Sequence, residues 1–174
     1  SANLGDLPGA RQSAERALAL SKRVLELTSS TDPRQRSAQI EAINVLQMQR
    51  RMERSPGHGL TQALALSKAH LAHGAPDRSG AMAIAQLYVA LSEYPSKDGD
   101  PREPLDWLDR AQSMISPVLA SAPDDVEALR VSAVVQLNRG TVHFRRDGAE
   151  EARLALRVFD DAEPILARMR SLQP

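Results

Sequence analysis

The stretch Ala17-Leu18-Ala19-Leu20-Ser21-Lys22 decides the fold class, because it recurs without a change as Ala63–Lys68. A second, shorter repeat pairs Pro117–Ala120 with Pro164–Ala167. By subtraction of residue numbers, the copies lie 46 residues apart in the first case and 47 in the second. Internal periods of this length are typical of a solenoid, in which each pair of helices buries its apolar side against the next pair.

Apolar and small residues near these copies recur at spacings of three and four, which places them on one side of a helix. No window shows a sustained alternation of β-branched residues with period two, so we predict no sheet. The repeats place the odd-numbered helices in one layer and the even-numbered helices in the other. Turn residues divide the chain into seven predicted helices, at about 8–28, 33–54, 60–73, 79–94, 101–121, 124–146 and 149–171.

Acidic residues placed before prolines mark two of the helix starts, Asp32-Pro33 and Asp100-Pro101. A carboxylate at such a position accepts hydrogen bonds from the free backbone N–H groups of the first turn. Proline is suited to the next position because it lacks an N–H that would otherwise be unpaired. Asp124 and, as a weaker signal, Ser79 are the predicted caps of two further helices.

The composition narrows the classes of function. Of the 174 residues, 42% are apolar and 25% are charged, which suits one domain with a sizeable core. The formal net charge is zero, which argues against a global electrostatic hold on nucleic acid or an anionic membrane. The chain has no cysteine, so disulfides, thiol catalysis and cysteine-based zinc sites are excluded.

Targeting signals are also missing from the sequence. No stretch approaches the roughly 20 uninterrupted apolar residues of a membrane span, so we predict no membrane insertion.

Arginine greatly outnumbers lysine, which together with the alanine and proline content leads us to expect a bacterial origin. The compartment stays open between the cytoplasm and the extracytoplasmic side of a membrane-anchored parent protein.

Three groups of residues were considered as chemical sites. His58, His70 and His73 are close in sequence, but no HExxH arrangement accompanies them, and exposed polar residues are the favoured interpretation. Asp98-Gly99-Asp100 resembles the start of a calcium loop but has a cation and no glycine at the required later positions, which favours a turn. The basic run at Arg50, Arg51 and Arg54 matches the expected charge of a helix C-terminus. We therefore predict no catalytic residues, no metal and no cofactor.

Two stretches resemble the tetratricopeptide repeat. Ala111, Ile115, Val118 and Pro123 match its second-helix pattern of a small, a large and a small residue followed by a closing proline. Leu4-Gly5-Asp6 resembles the Gly-Asp turn of another repeat, and this segment is similar to the repeat regions attached to some bacterial serine/threonine protein kinases. The repeats here are longer than the 34 residues of the family, so a HEAT-like or other helical repeat is the alternative.

The resemblance implies a fold and a mode of action. The expected fold is all-α, a right-handed superhelical stack of antiparallel helix pairs (a TPR-like α-solenoid of about seven helices). We expect residues 1–174 to form a single such domain, cut from a larger protein. In such a stack the first helices of the pairs line a concave groove that binds a peptide or helix of a partner protein. The groove residues implied by the repeat alignment are Asn44, Gln47, Arg51, Met82, Val89, Glu93, Glu127, Arg130, Val134 and Asn138.

These considerations predict a protein-interaction scaffold in bacterial signalling or regulation, rather than an enzyme. The alternative is a helical domain that senses a small molecule, which would require an enclosed and mostly apolar pocket. An all-α enzyme is a third hypothesis, but the sequence offers no convergent cluster of titratable residues. A homodimer could also form through the first helix, because the end of a solenoid exposes apolar surface unless it is capped by polar residues.

Overall fold

A computed structural model describes residues 7–29, 32–53, 59–94 and 100–172. They contain seven helices and no strand, which confirms the all-α prediction. None of these helices is both long enough and apolar enough to cross a membrane. The helices are α1 (Leu7–Leu27), α2 (Pro33–Glu53), α3 (Leu60–Leu71), α4 (Arg78–Glu93), α5 (Glu103–Ser121), α6 (Val126–Phe144) and α7 (Ala149–Leu172).

One of the two Asp-Pro caps acts as predicted. Asp32 Oδ1 accepts a hydrogen bond of 2.8 Å from the backbone N–H of Arg34, in the first turn of α2. Asp100 Oδ1 makes the same bond with the N–H of Arg102 at 2.8 Å. That second carboxylate closes a turn ahead of the helix, and α5 begins only at Glu103. The predicted start at residue 101 was therefore early.

The other two predicted caps were wrong. The side chain of Asp125 accepts from the N–H of Ala128 at 3.1 Å and caps α6. The carboxylate of its neighbour Asp124 instead pairs with Arg168 of α7, with a distance of 2.8 Å between Oδ1 and Nε. Ser79 lies inside α4. The N-terminus of that helix is bonded by Asp77, whose Oδ1 accepts from the N–H of Gly80 at 2.8 Å.

The packing divides into two compact units, Ser1–Ala83 and Ile84–Pro174, and the boundary falls within α4. In the first unit α2 packs against both α1 and α3. Its core is built from small and aliphatic side chains such as Ala42, Ile43 and Ala63, none of which retains measurable exposure. Gln47 of α2 donates to the backbone carbonyl of Ala83, the last residue of this unit, at 3.2 Å.

The second unit repeats this arrangement, with α6 packed against both α5 and α7. Asn138 of α6 and Glu93 of α4 lie 3.5 Å apart between Nδ2 and Oε1, joining two even-numbered helices. Trp107 is half-buried and stacks on Tyr88 with 5.5 Å between ring centroids. Phe144 is 72% exposed and lies outside the core.

Helices α6 and α7 pack closely at the point where Gly140 faces Phe159. A Cβ added at Gly140 of α6 would lie 2.6 Å from Cδ1 and 2.8 Å from Cζ of Phe159, and closer still to Cε1. Real Cβ atoms essentially never approach another heavy atom below 3.0 Å. Glycine at position 140 therefore allows the aromatic ring to sit directly on the α6 backbone.

We predict that Gly140→Ala destabilises the protein by about 1–2 kcal/mol, because overpacking a rigid ring costs about 1–3 kcal/mol. Helix propensity alone would act in the opposite direction by about 1 kcal/mol, so the sign of the change distinguishes the two effects. Urea unfolding followed by circular dichroism measures it. In a Phe159→Leu background, the same glycine substitution should become neutral or stabilising. An equal loss in both backgrounds would contradict the assigned contact.

Candidate interaction surfaces

An outward stripe runs along α2. Its residues are exposed and follow one another at alternating spacings of three and four, which keeps them on one side of the helix. Asn44 and Arg51, both predicted groove residues, belong to this stripe, and Met48 between them is 43% exposed. The complete α2 stripe is Arg34, Ser37, Glu41, Asn44, Met48 and Arg51.

A second outward stripe, with the same spacing, runs along α6 and is more apolar. Val134 and Leu137 are 37% and 39% exposed, and Phe144 at the end of the helix is 72% exposed. Two predicted groove residues, Arg130 and Val134, lie on it. The complete α6 stripe is Arg130, Val134, Leu137, Thr141 and Phe144.

The remaining predicted groove residues have different surroundings. Glu127 and Asn138 are half-buried on α6, beside the stripe, while Glu93 is exposed at the end of α4. The other three are buried, with exposures of 4% for Gln47, 4% for Met82 and 8% for Val89. Those three have almost no surface to offer a partner, and they serve packing in this structure.

Three exposed apolar residues were missed by the sequence analysis, namely Met48, Leu137 and Phe144. A signal for them existed, because each continues the spacing of three and four that starts from a predicted residue on its own helix. Asn44 leads to Met48 and then to Arg51, and Val134 leads to Leu137. The repeat alignment selected helix positions one by one and did not follow this stripe.

The first unit also has a cavity of about 590 Å³ beside α2. It opens to solvent, and its lining mixes charged, polar and apolar side chains. Arg36 is held at one side, where its guanidinium donates to the carbonyl of Ala75 at 3.0 Å. The lining residues are Pro33, Arg36, Ser37, Ile40, Glu41, Asn44, His70, Ala75, Pro76, Asp77 and Ser79.

His70 at the edge of this cavity is only 2% exposed. Burial lowers the pKa of its imidazole, and the nearby Arg36 guanidinium lowers that pKa further, while Asp77 acts in the opposite sense. Its Nε2 lies 3.4 Å from a guanidinium nitrogen of Arg36. Because arginine can only donate, a hydrogen bond between these two atoms requires Nε2 to be the acceptor. The Nδ1 atom of His70 is buried and has no partner within the described residues.

The groups considered for metal chemistry do not come together. Within the described ranges, no three His, Asp or Glu side chains are placed to hold a metal ion. His73 is exposed on the turn after α3, and His58 lies outside the described residues, as do Asp98, Gly99 and Arg54. A titratable pair occurs elsewhere, where His143 Nδ1 lies 2.6 Å from Glu151 Oε2 across the turn between α6 and α7.

Comparison with known proteins returns no match to a family model, to a curated protein or to a solved structure. The resemblance to tetratricopeptide repeats therefore stays a prediction from the residues. The two outward stripes and the cavity are the features on which a functional proposal can be built.

We predict that the free energy of unfolding falls as the pH is lowered below 6.5, the ordinary pKa of histidine. The unfolded chain takes up a proton on His70 near that pH, while the folded chain takes it up only at a lower pH. The contribution of His70 to the free energy of unfolding is therefore fully present above pH 6.5. It is lost as the pH falls from 6.5 towards the lower pKa of the folded state. Urea titrations at several pH values measure the slope. It should flatten in His70→Leu and persist in the control His73→Gln, and an unchanged slope in His70→Leu would refute the assignment.

Proposed function

We propose that this chain is a protein-interaction module that binds a helix or peptide segment of a partner protein along the α6 stripe. The observation that carries the proposal is the alignment of three exposed apolar side chains, Val134, Leu137 and Phe144, on one side of one helix. Scattered exposed apolar residues are ordinary on soluble proteins, whereas aligned ones mark interaction sites.

The two sides of α6 argue for the same role. Its inner side is packed within the second unit through residues such as Leu129 and Val135, at 6% and 0% exposure. The outer side is apolar at Val134 and Leu137 as well, between Arg130 and Thr141 on the same stripe. Exposed apolar surface with a polar rim is typical of an interaction site. A bound partner would supply the missing cover.

Energy and specificity would come from different residues. Full burial of an aromatic or aliphatic side chain contributes about 1.5–3 kcal/mol, so Leu137 and Phe144 are the natural anchors. Arg130 and Asn138 flank the apolar residues and would form the polar rim that sets orientation. We place the module in bacterial signalling or regulation only as an expectation from the sequence.

The small-molecule sensor is the weaker alternative. It needs an enclosed, mostly apolar pocket, and the first-unit cavity has the volume of one at about 590 Å³. That cavity is open to solvent, however, and Arg36, Glu41 and Asp77 are among its lining residues.

We predict that Leu137→Ser combined with Phe144→Ser removes the partner from a pulldown of a bacterial lysate with this chain as bait. The loss follows because both anchors lose their apolar surface. Quantitative mass spectrometry compares the captured proteins. The control is Leu156→Ser, which changes a leucine that is 64% exposed on α7 and does not belong to the α6 stripe. The proposal is refuted if the double variant captures the same proteins as the wild type, or if the wild type captures none above background.

We further predict that Arg130→Ala with Asn138→Ala weakens binding of the captured partner by about tenfold, as expected for the loss of about 1.4 kcal/mol of rim contacts. Isothermal titration calorimetry measures the affinity. The thermal midpoint should change little, because Arg130 is exposed and the 3.5 Å contact of Asn138 with Glu93 is a weak one. Equal affinity would exclude both side chains from the interface.

A further inference from the structure

The first helix carries a second apolar side beside the one that packs on α2. Leu20 and Leu27 are 69% and 68% exposed, and Val24 between them is half-buried. The spacing of three and four extends back through Ala17 and Ser13, so that all five lie on one side of the helix. We call Ser13, Ala17, Leu20, Val24 and Leu27 the outer stripe of α1.

The repeated hexapeptide provides an internal control for this stripe. Leu66 of α3 occupies the position of Leu20 within six identical residues. Leu66 is half-buried, however, whereas Leu20 is 69% exposed. Ala63, the counterpart of Ala17, is fully buried, whereas Ala17 is half-buried. Because the side chains are the same, the difference comes from packing. The described residues therefore cover the outer stripe of α1 less completely than they cover the matching positions of α3.

A groove of about 540 Å³ lies along this stripe, between α1 and α2. Leu20 and Val24 form its wall on α1, whereas Arg34, Ser37 and Glu41 form most of its wall on α2. An occupant of this groove meets an apolar wall on one side and a polar wall on the other. It must therefore be amphipathic itself.

The α2 wall also differs from the related position on α4. Forty-six residues after Arg34 and Ser37 stand Gly80 and Ala83, which are both buried. On α4 this side of the helix thus carries small residues and is buried in the core. In α2 it is polar and faces solvent, as suits a surface that is exposed when its partner is absent.

The charged residues beside the groove indicate which charges its occupant carries. Arg16 and Arg23 lie along the free edge of the outer stripe. On the opposite wall, Arg34 is already paired with Asp32 at 2.8 Å, and Glu41 is acidic. Arg23 pairs with Glu26 at 3.1 Å, but the two side chains are 66% and 63% exposed. Exposed pairs of this kind contribute at most about 1 kcal/mol and can be exchanged for a better acceptor. The free edge of the outer stripe is therefore complementary to an acidic flank.

A second copy of the chain fits less well. Two α1 helices packed antiparallel through their outer stripes would bring their free edges together. Those edges carry Arg16 and Arg23 in each copy, so like charges would face one another.

We propose that the groove between α1 and α2 binds an amphipathic helix of a partner protein. Its apolar stripe covers Leu20, Val24 and Leu27, and its acidic residues meet Arg16 and Arg23. This surface lies in the first unit and does not depend on the α6 stripe, so either surface can fail a test without the other.

A display experiment tests the apolar and electrostatic parts together. The probe is a library of helices as long as α1, 21 residues, with leucine and alanine fixed at spacings of three and four and the flanking positions randomised. The full chain is the bait. Selected clones should be enriched in Asp and Glu at the flanks. Their capture should be lost with a Leu20→Asp bait and retained with a Leu156→Asp bait, which alters an equally exposed leucine on α7.

Charge reversal then separates specific from adventitious binding. Arg16→Glu with Arg23→Glu should weaken the acidic clones by about tenfold and should shift a fresh selection towards Lys and Arg. Circular dichroism confirms that the variants fold, as expected for exposed positions. The proposal is overturned if selected flanks show no acidic bias, if no clone is enriched, or if Leu20→Asp captures the same clones. It is also overturned if light scattering gives a dimer mass for the wild type and a monomer mass for Leu20→Asp.

Discussion

The structure depends on close contact between helices whose facing side chains are small. Gly140 lets the ring of Phe159 rest on the backbone of α6, and this helix pair has the most extensive packing of those described. In the first unit, Ala14 and Ser21 of α1 and Ala63 and Ser67 of α3 are nearly or fully buried. Small residues at these positions allow α2 to have a helix on each side. A central helix with two neighbours can then contribute both an inner core and an outward stripe.

Most of the fold could be predicted from the sequence, because helix periodicity and turn residues are local signals. The errors arose where two local choices were almost equal. Asp124 and Asp125 can each cap a helix, and the choice depends on Arg168, which is distant in sequence and holds Asp124 in an ion pair. The start of α5 was early for a related reason, since an Asp-Pro turn can precede a helix without opening it.

The candidate surfaces were less predictable, because burial depends on the number of neighbouring elements. Met82 and Val89 were predicted to line the groove, but α4 is buried along most of its length and leaves them 4% and 8% exposed. Gln47 is polar and would ordinarily be placed at the surface, yet it is buried and donates to a backbone carbonyl. Arg130 and Val134 are exposed on a side of α6 that can be followed from residue spacing alone.

Several of the long-range hydrogen bonds are accepted by main-chain carbonyl oxygen atoms. Gln47 donates to the carbonyl of Ala83, Arg36 to that of Ala75, and Arg146 to that of Pro101. Every residue type carries a backbone carbonyl, so replacing the accepting residue leaves the acceptor in place. Only the donor half of each tie constrains the amino acid. Turns built in this way can diverge freely in composition while the helices they connect keep their register, and a fold maintained by such contacts leaves a faint signature in its sequence.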